Sequence, residues 1–105
     1  VTTTILDVGM SPTDILPIWV DWTPWLSGER AQGGTLPVIT SSSWAVESGA
    51  WTGLVVLGSP PPALAGKITT AWISGGVAGG RYVVVNTIET DLGHVVSRAI
   101  RVVVS

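Results

Sequence analysis

Hydrophobic and polar positions alternate most regularly near the end of the chain, where three runs are rich in β-branched and aromatic residues. They are Lys67 to Ser74, Arg81 to Glu89 and His94 to Val104. Gly75-Gly76-Val77-Ala78-Gly79-Gly80 separates the first two, and Thr90-Asp91-Leu92-Gly93 the last two. Branched side chains fit a pleated surface and glycine supplies the backbone freedom of tight corners, so this third of the chain predicts three consecutive antiparallel strands. With period two, Tyr82, Val84, Asn86 and Ile88 point inward and Val83, Val85, Thr87 and Glu89 outward. In the last strand Val96, Ile100, Val102 and Val104 point inward, and Val95, Ala99, Arg101 and Val103 outward. Arg98 falls on the inward parity, which requires either a bulge or a partner such as Asp21 or Glu89.

Upstream the pattern is weaker. Val1 to Leu6 reads as a first edge strand, stopped by the segment from Asp7 to Thr13 with its Gly9 and Pro12; it can pair within its own domain or with a neighbour, and the former is favoured. Ile15 to Leu26 carries Ile18, Val20 and Trp22 on one parity and Trp19 and Asp21 on the other. Pro17 and Pro24 should bracket its paired part, because proline cannot donate to a ladder. Ser27 to Gly34 reads as a loop, Leu36 to Ile39 as a short extended piece, and Ser41 to Glu47 as another strand. Leu54 to Leu57 is an unbroken apolar run suited to a buried strand. Gly58-Ser59-Pro60-Pro61-Pro62 reads as a stiff turn. About seven strands, turn signals every 8 to 12 residues or so and no helical periodicity predict an all-β, immunoglobulin-like antiparallel β-sandwich occupying residues 1–105 as one domain. Tyr82 opens the penultimate strand after a glycine corner; it is either the tyrosine that pins such a corner through its hydroxyl or an ordinary core tyrosine.

Composition changes this picture in one respect. Charged residues make up 11% of the chain and hydrophobic ones 46%, where an average soluble domain is about 25% charged. No apolar run approaches the ~20 residues of a membrane span, and no basic stretch precedes an apolar one near Val1, so no signal peptide is expected. A surface so poor in charge is expected to be covered in part by other chains. The outward valines Val83, Val85, Val95 and Val103 are the candidate contact patch. The chain has six tryptophans and no phenylalanine. Trp22, Trp44 and Trp72 sit on core parities; Trp19, Trp25 and Trp51 are expected at a surface or subunit contact, where an indole offers area and one N–H donor.

The residues of a reactive centre are missing. Without cysteine there is neither a disulfide framework nor a thiolate metal site. The one histidine, His94, stands in a turn, and the acidic residues do not repeat at calcium-loop spacing. No serine lies in a nucleophile elbow, and neither Gly66-Lys67 nor the Gly75–Gly80 run matches a phosphate-binding loop. With 5 basic and 7 acidic residues and no basic stripe, nucleic acid is an unexpected partner. The sequence predicts no enzyme, no cofactor, no metal and no membrane association.

Residues 70–86, from Thr70-Ala71-Trp72-Ile73-Ser74 through the glycine corner to Tyr82-Val83-Val84-Val85-Asn86, carry a recognisable pattern. Ile88-Glu89-Thr90, Gly93 and Ser97-Arg98-Ala99-Ile100-Arg101-Val102 continue it, and Val20-Asp21-Trp22 adds to it near the start. Together they resemble small immunoglobulin-like virion proteins of tailed bacteriophages, of the fibre-tail adaptor type. In these a Trp-Leu-Ser-Gly-Gly-x-Ala-Gly-x-x-Tyr-x-Val-x-Asn stretch precedes a glycine turn and an Arg-Ser-Ile-Arg strand. The chain departs from that pattern between Ser27 and Gly66, and has Ala99 where serine is usual. The resemblance implies a non-enzymatic virion subunit, present in several copies of a symmetric assembly on the phage tail or capsid surface, that bridges the tail to a fibre or other appendage. Two other functions stay open: a carbohydrate- or ligand-binding sandwich using exposed tryptophans, and a capsid decoration subunit.

Overall fold

The computed structural model describes residues 3–28, 37–47, 51–58 and 62–105. Within them lie strands β1 (Thr3–Met10), β2 (Ile15–Asp21), β3 (Ile39–Glu47), β4 (Leu54–Val56), β5 (Ala63–Ala65), β6 (Ile68–Gly75), β7 (Arg81–Thr90) and β8 (Val95–Val104), and one helix, α1 (Thr23–Gly28). Most of the expected loop after Ser27, and Ser59, Pro60 and Pro61 of the stiff turn, lie outside the described residues.

The strands form two sheets, ordered β1-β8-β7-β3 and β2-β6-β4, with β5 also paired to β6. Because β2 lies along β6 from Ser74 to Ile68, β4 and β5 share the other edge of β6, at its end and its start respectively. The three C-terminal strands expected from the sequence are present as β6, β7 and β8, but only β7 and β8 pair; β6 belongs to the other sheet, because the glycine corner carries the chain across the sandwich instead of into a hairpin. Every pairing among the described residues is antiparallel except that of β1 with β8.

Local chemistry accounts for the places where the strands depart from expectation. β1 does not stop at Asp7 but runs on to Met10, because its ladder with β8 continues that far; within it the Asp7 carboxylate receives two hydrogen bonds from Arg101 on the neighbouring strand, at 2.8 and 3.1 Å. Pro17 does not bound β2. It lies inside the strand opposite Trp72, a position open to proline because β2 is a sheet edge. The chain leaves β2 at Asp21 and turns into α1 instead of extending to Leu26. Asp21 Oδ1 accepts the Thr23 N–H at 3.0 Å, and Pro24 fits the first helical turn, where its missing N–H costs nothing.

The two sheets share a core. Ile18, Val20, Ala71 and Ile73 of one face Tyr82, Val84, Ile88, Ile100, Val102 and Val104 of the other, all but fully buried. Each such aliphatic side chain contributes about 1.5–3 kcal/mol relative to an exposed one. Leu26 of α1 closes one end of this core with no exposure. Trp72 is not part of it. Thr69, Ala71 and Ile73 take the inner face of β6, so the residue between the last two points outward and is only half-buried.

One polar cluster is buried in the core. Trp22 Nε1 donates to Asn86 Oδ1 at 3.0 Å and, more weakly, to Thr69 Oγ1 at 3.2 Å. Thr69 Oγ1 donates to the same Asn86 oxygen at 2.6 Å, and Asn86 Nδ2 donates to Ser42 Oγ and to the Ser43 carbonyl, both at 2.9 Å. Arg98 remains on the inward parity without a bulge. Its guanidinium lies 5.5 Å from the centre of the Trp22 ring, a cation–π arrangement, and its Nη1 donates to the Ser97 carbonyl.

Tyr82 locks the corner between β6 and β7. Its hydroxyl donates to the Thr52 carbonyl at 2.6 Å and accepts the Val77 N–H at 2.9 Å. Gly76, at φ +91°, and Gly80 pass so close to the Tyr82 ring that a side chain at either would meet it.

Candidate interaction surface

The outer faces of the two sheets differ in charge. On the β1-β8-β7-β3 sheet, registration aligns Asp7, Arg101, Val83 and Glu47 in one row across the strands, with Gly9, Val103 and Arg81 in the next. Glu89 stands beside Val95 at the far end. The four valines expected to form a patch are therefore only partly gathered: Val83, Val85 and Val103 are neighbours interleaved with Arg81 and Arg101, and Val95 lies apart. Val83 is half-buried between Arg101 and Glu47. Val95 (65% exposed) and Val103 (40% exposed) occupy opposite ends of β8, about 26 Å apart at the rise of a strand. Val85 points outward yet is only 6% exposed, in a row with Ala45 and Ala99 in the middle of the sheet, and so has little area left for a partner.

The outer face of the β2-β6-β4 sheet is different. Its rows run Ile15, Ser74, Val55; then Pro17, Trp72; then Trp19, Thr70, Ala63; then Asp21, Ile68, Ala65. Ile15, Trp19, Val55 and Ile68 are 40–59% exposed, and Trp72 and Pro17 lie half-covered among them. Asp21, at one end, is the only charged residue in these rows. Apolar side chains adjacent in a sheet, with no charge between them, form the kind of contiguous patch that marks a contact site, whereas scattered ones do not.

Of the tryptophans expected at a contact, Trp19 stands in this face. Trp51, 39% exposed, precedes β4. Trp25 is half-buried on α1, edge-on to Trp22 with ring centres 6.0 Å apart and to His94 at 6.4 Å, so it closes the end of the sandwich more than it presents a surface. Trp44 is half-buried on the inner side of β3, and its Nε1 is buried without a hydrogen bond. The residues that sequence reasoning left out are Ile15, Val55 and Ile68. The signal for them was present: Ile15, Pro17 and Trp19 alternate with Leu16, Ile18 and Val20, so β2 is apolar on both parities.

No group of His, Asp and Glu suited to a metal ion occurs among the described residues, and no helix among them is long and apolar enough to cross a membrane. The shifted carboxylates, Asp7 and Asp21 exposed and Asp14 half-buried, serve structure. Asp7 is held below the ordinary carboxylate range by its bond from Arg101, Asp14 by the Ser11 N–H, and Asp21 by hydrogen bonds from Thr23.

A comparison with protein families gives the chain's relationship. The family described as podophage GP4 fiber-tail adaptor protein gp77 matches residues 10–103, from the end of β1 almost to the end of β8. The chain belongs to this family. It is thus a structural adaptor protein of the phage virion tail. The match spans the segment between Ser27 and Gly66, where the sequence departs from the expected motif. No curated protein matches the chain.

Proposed function

We propose that this adaptor is a non-enzymatic subunit, one immunoglobulin-like domain present in several copies, that bridges the tail to a fibre or another appendage. Its symmetric protein contacts are made chiefly by the outer face of β2, β6 and β4. The observation that carries the reading is the contrast between faces: Ile15, Trp19, Val55, Ile68 and Trp72 are contiguous, with Asp21 beside Ile68 the one charge in their rows, while the opposite face is crossed by the Asp7–Arg101 pair, Arg81, Glu47 and Glu89. Flat apolar area with two indoles suits a protein surface, since aromatic side chains dominate contact energetics. The immunoglobulin-like arrangement is supported by the division of strands between the sheets and by the Tyr82 hydroxyl at the corner.

The test is complementation of particles lacking the adaptor with the Trp19→Ser, Ile68→Thr double variant. Both residues are exposed, so folding stability should change by no more than about 0.5 kcal/mol per site, while the variant fails to enter particles. Normal incorporation would place the contact elsewhere.

A further inference from the structure

The sheet edges raise a question separate from the outer faces. An edge strand carries unpaired N–H and C=O groups, and proteins guard such edges with proline, bulges, charge or short length. Among the described residues, β2 carries Pro17 in its middle, β4 and β5 have three residues each, and β1 has a register shift between Thr4 and Leu6. β3 has none of these guards from Ser41 onward. Its ladder with β7 is regular from Ser41 to Glu47, with no proline, glycine or basic residue, and its one charge is the terminal Glu47. Its inward row of Ser42, Trp44 and Val46 is only half-buried, whereas the residues opposite on β7, Ile88, Asn86 and Val84, have no exposure. Among the described residues, the less covered flank of the sandwich lies along β3.

We propose that β3 pairs with the β3 of a second copy, antiparallel about a two-fold axis, joining the two β1-β8-β7-β3 sheets into one. Full overlap of the regular ladder sets Trp44 on the axis opposite its own copy, Ser42 opposite Val46, Ser43 opposite Ala45 and Ser41 opposite Glu47. Inward residues meet inward residues and outward meet outward, as a shared core face requires. The single acid of each strand faces a serine, so no like charges oppose, and the small outward row of Ser41, Ser43 and Ala45 leaves the join unobstructed. Among the described residues the other edges are short, carry proline, or, in β1, combine a register shift with the charge of Asp7. A second β3 is therefore the complement this chain itself supplies, and the contact closes on two copies. It uses an edge and not the outer face of β2 and β6, so either contact can fail without the other.

The experiment is light scattering coupled to size-exclusion chromatography on three proteins: the native chain, the Ser43→Lys, Ala45→Lys variant and the Ser43→Glu, Ala45→Glu variant. The native chain should run as a dimer that dissociates on dilution, and each charged variant alone as a monomer. Their equimolar mixture should recover the dimer, since opposite charges then face across the axis, and recovery also shows that both variants are folded. A native chain that stays monomeric throughout its soluble range overturns the proposal, as do charged variants that dimerise like the native chain. A dimer abolished by Trp19→Ser with Ile68→Thr, but kept in the charged variants, overturns it in favour of the outer face.

Discussion

Asn86 decides more of this molecule than any other single polar residue, because one fully buried side chain satisfies groups from two other strands, β3 and β6, and the Trp22 indole. Replacing it with alanine leaves the Ser43 carbonyl without the amide that bonds it and leaves Trp22 Nε1 with only the longer bond to Thr69. Abandoned buried groups cost about 1–3 kcal/mol each, so Asn86→Ala is expected to lower unfolding free energy by about 2–4 kcal/mol in urea titration. Tyr82→Phe keeps the ring and removes only the hydroxyl between Thr52 and Val77, for a loss of about 1–2 kcal/mol in the same titration. Acid sensitivity also belongs to single residues. Asp7, Asp14 and Asp21 all have folded pKa values below the ordinary 3.8, so their contribution is complete above that value and disappears as pH falls through the lower folded ones. Thermal stability should therefore be insensitive to these groups from neutral pH down to about 5 and should decline below about 4. Asp7→Asn should flatten part of that decline.

At the scale of elements, the β6–β7 corner is the least tolerant segment. A Cβ on Gly80 would lie 2.7 Å from Tyr82 Cε2 and 2.8 Å from the Val77 carbonyl, and the ring cannot retreat while its hydroxyl is held at both sides. Gly80→Ala should cost about 1–3 kcal/mol as an overpacking change, visible as a lowered Tm. The corner and the strands around it were legible in the sequence, since glycine clusters and β-branched alternation act locally. The extent of β1 was not, because it is set by the ladder with β8, where Asp7 also meets Arg101, ninety-four residues later. Pro17 was misplaced for a similar reason: whether a proline can sit within a strand depends on that strand being an edge, a property of the sheet. β5 is three residues of Ala-Leu-Ala without period or branching, and exists by pairing with β6. Trp72 was assigned to the wrong parity, since Thr69, Ala71 and Ile73 are the residues that β6 buries and the larger side chain between the last two is outside.

At the scale of the whole molecule, the charges of the described residues are divided unequally between the two outer faces. A chain with 11% charged residues places Asp7, Arg101, Arg81, Glu47 and Glu89 on one outer face and only Asp21 among the rows of the other. Low charge was visible in composition and led to the expectation of a covered surface. Which face it served was not, because valines on β7 and β8 carry the same strand propensity whether a partner covers them or neighbours do, and registration alone revealed that Val85 is covered within its sheet, that Arg81 and Arg101 interleave with Val83 and Val103, and that Val95 stands apart. The family match sets the adaptor in the virion tail, and the charge-poor face is where it is proposed to be held. Hydroxyl-radical footprinting of Trp19 in the purified chain and in intact particles tests this most directly. The account predicts ready oxidation of Trp19 in the free chain, where it is 55% exposed, and strong protection in the particle; equal oxidation in both would contradict it.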